Sequence, residues 1–410
     1  MAQDHDSGTL ADWPIPRGFR AAACKAGIKP SGALDLALLV TEGPVAAAGT
    51  FTTNRVCAAP VQWDRQRLPS PSIRGLVINA GNANAATGEQ GLANAARTAA
   101  LLAQRLSCSP DQVLVASTGV IGHQLPMEKL ETGIHEAFGG LSEQPRAFHE
   151  ASLAIMTTDS RPKVVGLERE LPGLGRTARL VGLAKGAAMI GPNMATMLAF
   201  LTADVPVDPA MLQAILRDAV EDTFNCISVE GHMSTNDTVL LLAGPPPGEA
   251  LGLLTGEALD EFAAMVHQAC ATLAKMIPAD GEGATHLITI DVEGCSNRGE
   301  ARQLARAVAD SPLVKTAIHG ADPNWGRIVS AAGYAGIDFD EREVSLWLNG
   351  VLLYENGTPR PFDAEEVSRE LRSLRETHIR LTFQRGLERA RFWTCDLTAE
   401  YVRLNADYTT

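Results

Sequence analysis

Near the middle of the 410-residue chain, the stretch from Lys185 to Phe200 holds the residue types that covalent acyl transfer requires. Thr196 carries a hydroxyl, a weak nucleophile at neutral pH until a base lies within hydrogen-bond reach. Cutting the chain before Thr196 would supply that base, because a free α-amino group titrates near pKa ~8 and an N-terminal threonine is a recognised nucleophile-and-base pair. Gly191-Pro192-Asn193 is turn chemistry that can hold a tight backbone ahead of the cut. Ala195 leaves the scissile carbonyl unobstructed. The plainer alternative is a Gly/Pro loop entering a buried strand from Met197 to Leu201, with Thr196 an ordinary edge hydroxyl. Residue types alone favour the plainer alternative.

Other stretches carry polar groups where chain direction changes. Val113 to Ala116 is an apolar run that leads into Ser117-Thr118-Gly119-Val120-Ile121-Gly122. A strand ending in a glycine turn presents backbone N–H groups, the raw material of an oxyanion hole, although most such turns are only turns. Ile155 to Lys163, with Thr157-Thr158-Asp159-Ser160, reads as a polar loop between a helix and a strand. Lys185 closes an apolar strand pattern; it is either a solvated end residue or a cation for a substrate carboxylate. Asp280-Gly281-Glu282-Gly283 sets two acids among glycines, which makes a tight turn or a cation-tolerant loop. His232 has no partners at metal-ligand spacing and reads as a loop histidine. Gly173-Leu174-Gly175 opens no helix, so it is not a dinucleotide fingerprint.

Taken together, these motifs resemble one family. Lys185-Gly186, Met189-Ile190 and Pro192-Asn193-Met194-Ala195-Thr196-Met197-Leu198 are similar to the self-cleavage segment of the ornithine acetyltransferases, the glutamate N-acetyltransferases of arginine biosynthesis. Ser117 to Gly122, Ile155 to Lys163, Phe224 to Thr238, Asp280 to Thr285, Ser311 to Arg327 and the tail from Tyr401 to Thr410 match further blocks of that family, so the resemblance runs from Thr52 to Thr410. Glu230 and His232 stand where the family usually has aspartates. Ala80, Ala86, Ala187, Ala188 and Gly191 are small-for-small departures.

The resemblance implies a precursor that cleaves itself between Ala195 and Thr196. Thr196 would then take acetyl from N2-acetylornithine and pass it to L-glutamate. By the same resemblance, Thr118 and Gly119 polarise the acyl carbonyl. Thr158 (with Thr157 as the alternative), Lys185, Thr196, Glu282, Asn405 and Thr410 hold substrate. No cofactor and no metal are implied, the cleaved chains are expected to assemble as an α2β2 heterotetramer, and use of acetyl-CoA as a further donor stays open. Two other classes remain: a self-processing aminopeptidase or amidase with water as acceptor, and a non-catalytic amino-acid-binding protein. The fold implied is α/β (α+β), a self-processed αββα-type sandwich with a smaller C-terminal α/β domain. Residues 1–195 would form the first chain. Residues 196–285 would complete the catalytic domain, and residues 286–410 would form the smaller domain, its tail returning to the active site.

The elements that must position these groups are partly legible. Ala33 to Val40 and Val45 to Thr52 read as strands around a turn at Glu42-Gly43-Pro44, and Leu76 to Asn79 as a buried strand. Leu92, Ala95, Ala96, Ala99 and Leu102 recur at helical spacing between Gly91 and Leu106. Asp208-Pro209 caps a helix whose apolar face is Met211, Ile215, Leu216 and Val220. A long amphipathic helix spans Glu257 to Met276, and Asn349-Gly350 marks a tight hairpin. His378 to Phe383 and Arg389 to Asp396 read as a second hairpin turning at Gly386.

Composition narrows the class. Hydrophobic residues make up 45% and charged residues 20%, ordinary for a soluble globular chain. A net charge of −13 without a basic cluster argues against nucleic acid or an acidic membrane as partner. The seven cysteines form no C-x-x-C pair, so they signal neither zinc nor a disulfide framework and suit a reducing compartment. Met1 to Trp13 lacks the features of a secretory signal, and no apolar run approaches the ~20 residues of a membrane span. A soluble cytoplasmic protein acting on small molecules is expected.

Overall fold

The computed structural model describes residues 12–191 and 197–407. Its first part runs β1 (Phe19–Cys24), β2 (Leu36–Phe51), α1 (Ala59–Arg65), β3 (Ser70–Asn82), α2 (Gly88–Leu106), β4 (Val113–Val120), α3 (Met127–Gly139) and α4 (Pro145–Ala154). It continues through β5 (Lys163–Glu170), β6 (Thr177–Lys185), β7 (Leu198–Ala203), α5 (Pro209–Glu221), β8 (Thr238–Ala243) and α6 (Gly256–Met276). All eight strands join one sheet, ordered β4-β3-β2-β8-β7-β6-β5, with β1 on the remaining edge of β2.

Strand β2 explains how one sheet becomes two layers. Its first half, Leu36 to Thr41, pairs with β1, whereas its second half, Ala46 to Phe51, pairs with β8. Successive side chains point to opposite faces of a strand. The odd-numbered Ala37, Leu39, Val45 and Ala47 enter one core together with Leu76 and Ile78 of β3 and Leu183, Phe200 and Leu240 from β6, β7 and β8. The even-numbered Leu36, Leu38 and Val40 pack instead with Ala99 and Leu102 of α2 and Ile134 of α3. Ala46 and Ala48 pack with Leu216 of α5 and Phe262 and Val266 of α6. The sheet therefore closes on itself about β2 and carries a helical layer on each outer side, which is the αββα sandwich.

No turn interrupts β2. Glu42-Gly43-Pro44 is a bulge between Val40 and Val45 inside a continuous strand. Pro44 lacks an N–H for a ladder bond, and at a bulge none is needed. The hydroxyl of Thr41 donates to the Gly43 carbonyl at 2.6 Å and holds the bend. In α5 the Asp208 carboxylate accepts from Ala210 and Met211 N–H as a cap. The buried face of that helix is Leu212, Leu216, Ala219 and Val220, and Met211 is 47% exposed, one position out of phase with the sequence pattern.

The second part comprises β9 (Leu287–Cys295), α7 (Arg298–Ala309), α8 (Pro312–His319), α9 (Trp325–Gly333), β10 (Ser345–Leu348), β11 (Val351–Glu355), β12 (Thr358–Pro359), α10 (Ala364–Ser373), β13 (Glu376–Thr382), β14 (Glu388–Cys395) and α11 (Ala399–Asp407). Its six strands are ordered β12-β11-β10-β13-β9-β14. Ile290, Val292, Leu346, Ile379 and Leu381 from this sheet share a core with Leu304 and Val308 of α7, Ile328 of α9 and Leu371 of α10. Asn349 and Gly350 both have positive φ, 48° and 85°, as a type I′ hairpin demands. The second expected hairpin does not form. β13 and β14 each pair with β9, which lies between them. The connection crosses the end of β9, where Arg385 and Gly386 N–H both donate to the Gly294 carbonyl at 2.9 Å.

Candidate active site

The carboxyl end of β4 runs beside that of β3. Ala80 faces Thr118 and Gly81 faces Gly119. A Cβ on Gly119 would lie 2.3 Å from the Gly81 carbonyl carbon, and its φ is +133°, so only glycine fits. Thr118 is buried, and its Oγ1 accepts from Lys185 Nζ at 3.1 Å. Lys185, at the end of β6, is 2% exposed rather than solvated. Burial lowers its pKa, and the Asp159 and Asp237 carboxylates oppose that trend.

A second buried lysine braces the segments around Lys185. Lys163 Nζ donates to Asp159 Oδ1 and to Asp280 Oδ2, both at 2.7 Å, and all three side chains are almost wholly enclosed. Asp159 also accepts from Gly186 N–H at 2.6 Å and from Thr157 N–H at 3.0 Å. Burial works to raise the Asp159 pKa, but the Lys163 and Lys185 cations overcome it and hold the carboxyl at about 2. Asp280 accepts from Ser160 N–H and hydroxyl. One ionic cluster thus ties together the Thr157-Thr158 loop, Lys185-Gly186 and the loop that carries Glu282.

Glu282 N–H donates to the Ala187 carbonyl at 2.9 Å, which fastens the acidic loop to the chain just beyond Lys185. Its carboxylate accepts from Asn405 Nδ2 at 2.8 Å. Asn405 lies on α11, which returns across this loop: Thr398 donates to the Gly283 carbonyl, and a Cβ on Gly283 would lie 2.6 Å from Tyr401 N. Asp396, just past β14, anchors the return by accepting from Thr285 and His286 N–H and lying 3.1 Å from His319 Nδ1. On the opposite side, Met197 N–H donates to Asp237 Oδ1 at 3.0 Å. Burial drives the Asp237 pKa well above the carboxylate range.

These segments enclose a cleft of about 140 Å³, whose walls include Thr118, Gly119, Thr158, Lys185, Glu282 and Asn405. Six of the expected site residues therefore meet at one place. Thr157 borders the same cleft. Ala195, Thr196 and Thr410 lie outside the described residues. The cleft offers a cation at Lys185 and a carboxylate at Glu282, complementary to the two charges of an α-amino acid. Among the described residues no group of His, Cys, Asp or Glu is arranged to hold a metal ion. His232 is exposed. In the sequence Lys163 and Asp159 read only as loop polarity. A lysine four residues after an aspartate at the start of an apolar strand was the available signal.

Residues 20–410 match the ArgJ family. The chain belongs to that family. It is 48% identical over 397 residues to the arginine biosynthesis bifunctional protein ArgJ of Thermus thermophilus, covering 97% of this chain and 99% of the relative. It is 44% identical to the protein of the same name from Synechocystis, covering 98% of this chain and 100% of the relative. A solved ArgJ structure from Bacillus halodurans is similar to 51% of this chain and covers 98% of its own, at 36% identity and a TM-score of 0.48. No helix among the described residues is long and apolar enough to cross a membrane.

Proposed function

We infer that the protein is an acetyltransferase of arginine biosynthesis, moving acetyl from N2-acetylornithine to L-glutamate through an ester on Thr196. The observation that carries this reading is the cleft in which the Gly119 turn, the Lys185 cation and the Glu282 carboxylate converge. The Thr196 hydroxyl first attacks the Ala195 carbonyl; the peptide C–N bond breaks, its nitrogen takes up the hydroxyl proton, and water then hydrolyses the ester. The freed amine of Thr196 next takes the proton from its own hydroxyl as Oγ attacks the acetyl carbonyl of N2-acetylornithine. The Gly119 amide and Thr118 stabilise the oxyanion, a contribution of about 3 to 4 kcal/mol for a donor of this kind. The proton passes to the departing ornithine amine. The amine of L-glutamate attacks the Thr196 ester in a second displacement, which gives ping-pong kinetics.

Lys185 suits the α-carboxylate of either amino acid. Glu282, held by Asn405, suits a cationic group, and Thr158 borders the same space. In this reading residues 1–195 and 196–410 are separate chains in the mature enzyme, co-folded, with residues 286–410 as the smaller domain. They assemble as α2β2 in the cytoplasm. The relatives carry the word bifunctional in their names, which supports acetyl-CoA as a second donor for the same ester.

The test is to supply N2-acetylornithine with and without L-glutamate and follow acetylglutamate and acetate. Glutamate-dependent acetylglutamate, with initial-rate lines that stay parallel as both substrates vary, is the expected result. Acetate release that ignores glutamate would replace this reading with a hydrolase.

A further inference from the structure

β4 is an edge strand: among the described residues it pairs with β3 alone, and its other edge has no neighbouring strand. Edge strands leave a row of N–H and C=O groups that must find partners. Here side chains take the place of a strand. Trp63 Nε1 donates to the Val113 carbonyl at 3.0 Å, and Asp64 Oδ1 accepts from Val115 N–H at 2.9 Å. Asn236 Nδ2 donates to the Ser117 carbonyl at 2.9 Å. Gly119 follows two residues beyond Ser117 at the end of the same strand and lines the cleft.

Asn236 is built for that contact. Its other N–H donates to the Ala83 carbonyl at 2.7 Å, and its Oδ1 accepts from the Thr235 hydroxyl at 2.6 Å. A side-chain amide has two N–H donors, and both are spent on backbone carbonyls. Although Asn236 lies in the wall of the cleft, it has no donor left for a substrate. The next residue, Asp237, holds Met197 N–H. The dipeptide ahead of β8 therefore grips the oxyanion edge with one side chain and the strand that follows Thr196 with the other.

We propose that Asn236 is a positioning residue for acyl transfer: by fixing the Ser117 carbonyl it aims the Gly119 amide at the acyl oxygen and keeps that edge in register with the nucleophile strand. This rests on the acyl-transfer reading above. Thr235, which borders the same cleft, acts through Asn236 by fixing which way its amide faces.

The test uses the full-length protein and its Asn236→Asp and Thr235→Val variants. Asn236→Asp keeps the shape but sets one carboxylate oxygen against the two carbonyls that Nδ2 now serves. Autocleavage rate, kcat and KM for N2-acetylornithine on the cleaved protein, and melting temperature are measured for each. For Asn236→Asp, autocleavage and kcat are expected to fall about 100-fold, approaching the loss of an oxyanion donor, with KM unchanged within about threefold. For Thr235→Val, kcat is expected to fall about fivefold at constant KM, roughly the worth of one hydrogen bond. A folded Asn236→Asp with wild-type kcat overturns the proposal, as does a kcat loss matched by a rise in KM. If Asn236→Asp does not fold, Thr235→Val decides: wild-type kcat overturns the proposal. A wild-type protein that transfers no acetyl defeats the functional reading, whatever the variants do.

Discussion

The folded sheet and the six-stranded sheet handle charge in opposite ways. In the folded sheet Lys163, Lys185 and Asp159 are each at most 8% exposed, and their partners are the Asp280 carboxylate, the Thr118 hydroxyl, backbone amides and one another. In the six-stranded sheet the arginines of the strand-to-strand pairs reach solvent, even where the acid, Asp291, is buried. Arg380 pairs with Glu293 at 2.7 Å with side chains 44% and 36% exposed, and Arg391 pairs with Asp291 at 2.7 Å while 57% exposed. The first arrangement fixes the relative position of loops that carry chemistry. The second decorates a surface whose shape is already set by Leu346, Ile379 and Leu304 beneath it. Location, more than charge count, decides what an ion pair does.

Substitutions should separate the two regions by size of effect. The largest is expected for Lys163→Met, which strands two buried carboxylates. A loss of about 3 to 5 kcal/mol is anticipated, as for other broken buried pairs. Denaturant unfolding reads it, and a loss under about 1 kcal/mol would show that the cluster is no brace. Gly119→Ala comes next, because its Cβ collides with Gly81 backbone. Turnover on cleaved protein should fall about 100-fold or more. Near-wild-type turnover would remove the Gly119 amide from the chemistry.

Glu230 tests the boundary between the regions. It follows Val229, whose N–H donates to the Ile190 carbonyl at 2.8 Å, and burial pushes its carboxyl from 4.5 to about 8. The folded protein therefore keeps a proton that the unfolded chain releases. The pH-dependent part of its stability is full below pH 4.5, declines as pH rises, and is gone above about 8. Wild type should lose melting temperature relative to Glu230→Gln as pH is raised across that window. Parallel curves for the two proteins would contradict the assignment. The smallest effect is expected at Arg380→Ala, where the exposed pair with Glu293 should contribute about 1 kcal/mol or less. A larger unfolding change there would blur the contrast between the two sheets.

How much of this could be read from residues follows the same division. The helices α2 and α6 and the Asn349-Gly350 turn are local and legible, although Leu92 of the expected α2 stripe is exposed. The continuity of β2 was not, since Gly43-Pro44 has the composition of a turn and only the partner β3 makes it a bulge. Nor was the separation of β13 from β14, because alternation says which face a residue takes and nothing about which strand lies beside it. At the site, family resemblance pointed to Thr118, Lys185, Glu282 and Asn405, and the structure gathers them. For Lys163 the sequence offers only the near partner, Asp159, and Asn236 offers none. The Asp280 carboxylate and the Ser117 and Ala83 carbonyls are far away in sequence, and no local pattern encodes them.

The central claim is that chain cleavage creates the catalytic amine at Thr196. Denaturing mass spectrometry of purified wild type and Thr196→Ala tests it most directly. Two fragments from wild type, the second beginning Thr196-Met197-Leu198, with the variant intact, is the predicted result. A wild-type protein that remains one uncut chain would contradict the account, because the base it needs would never form.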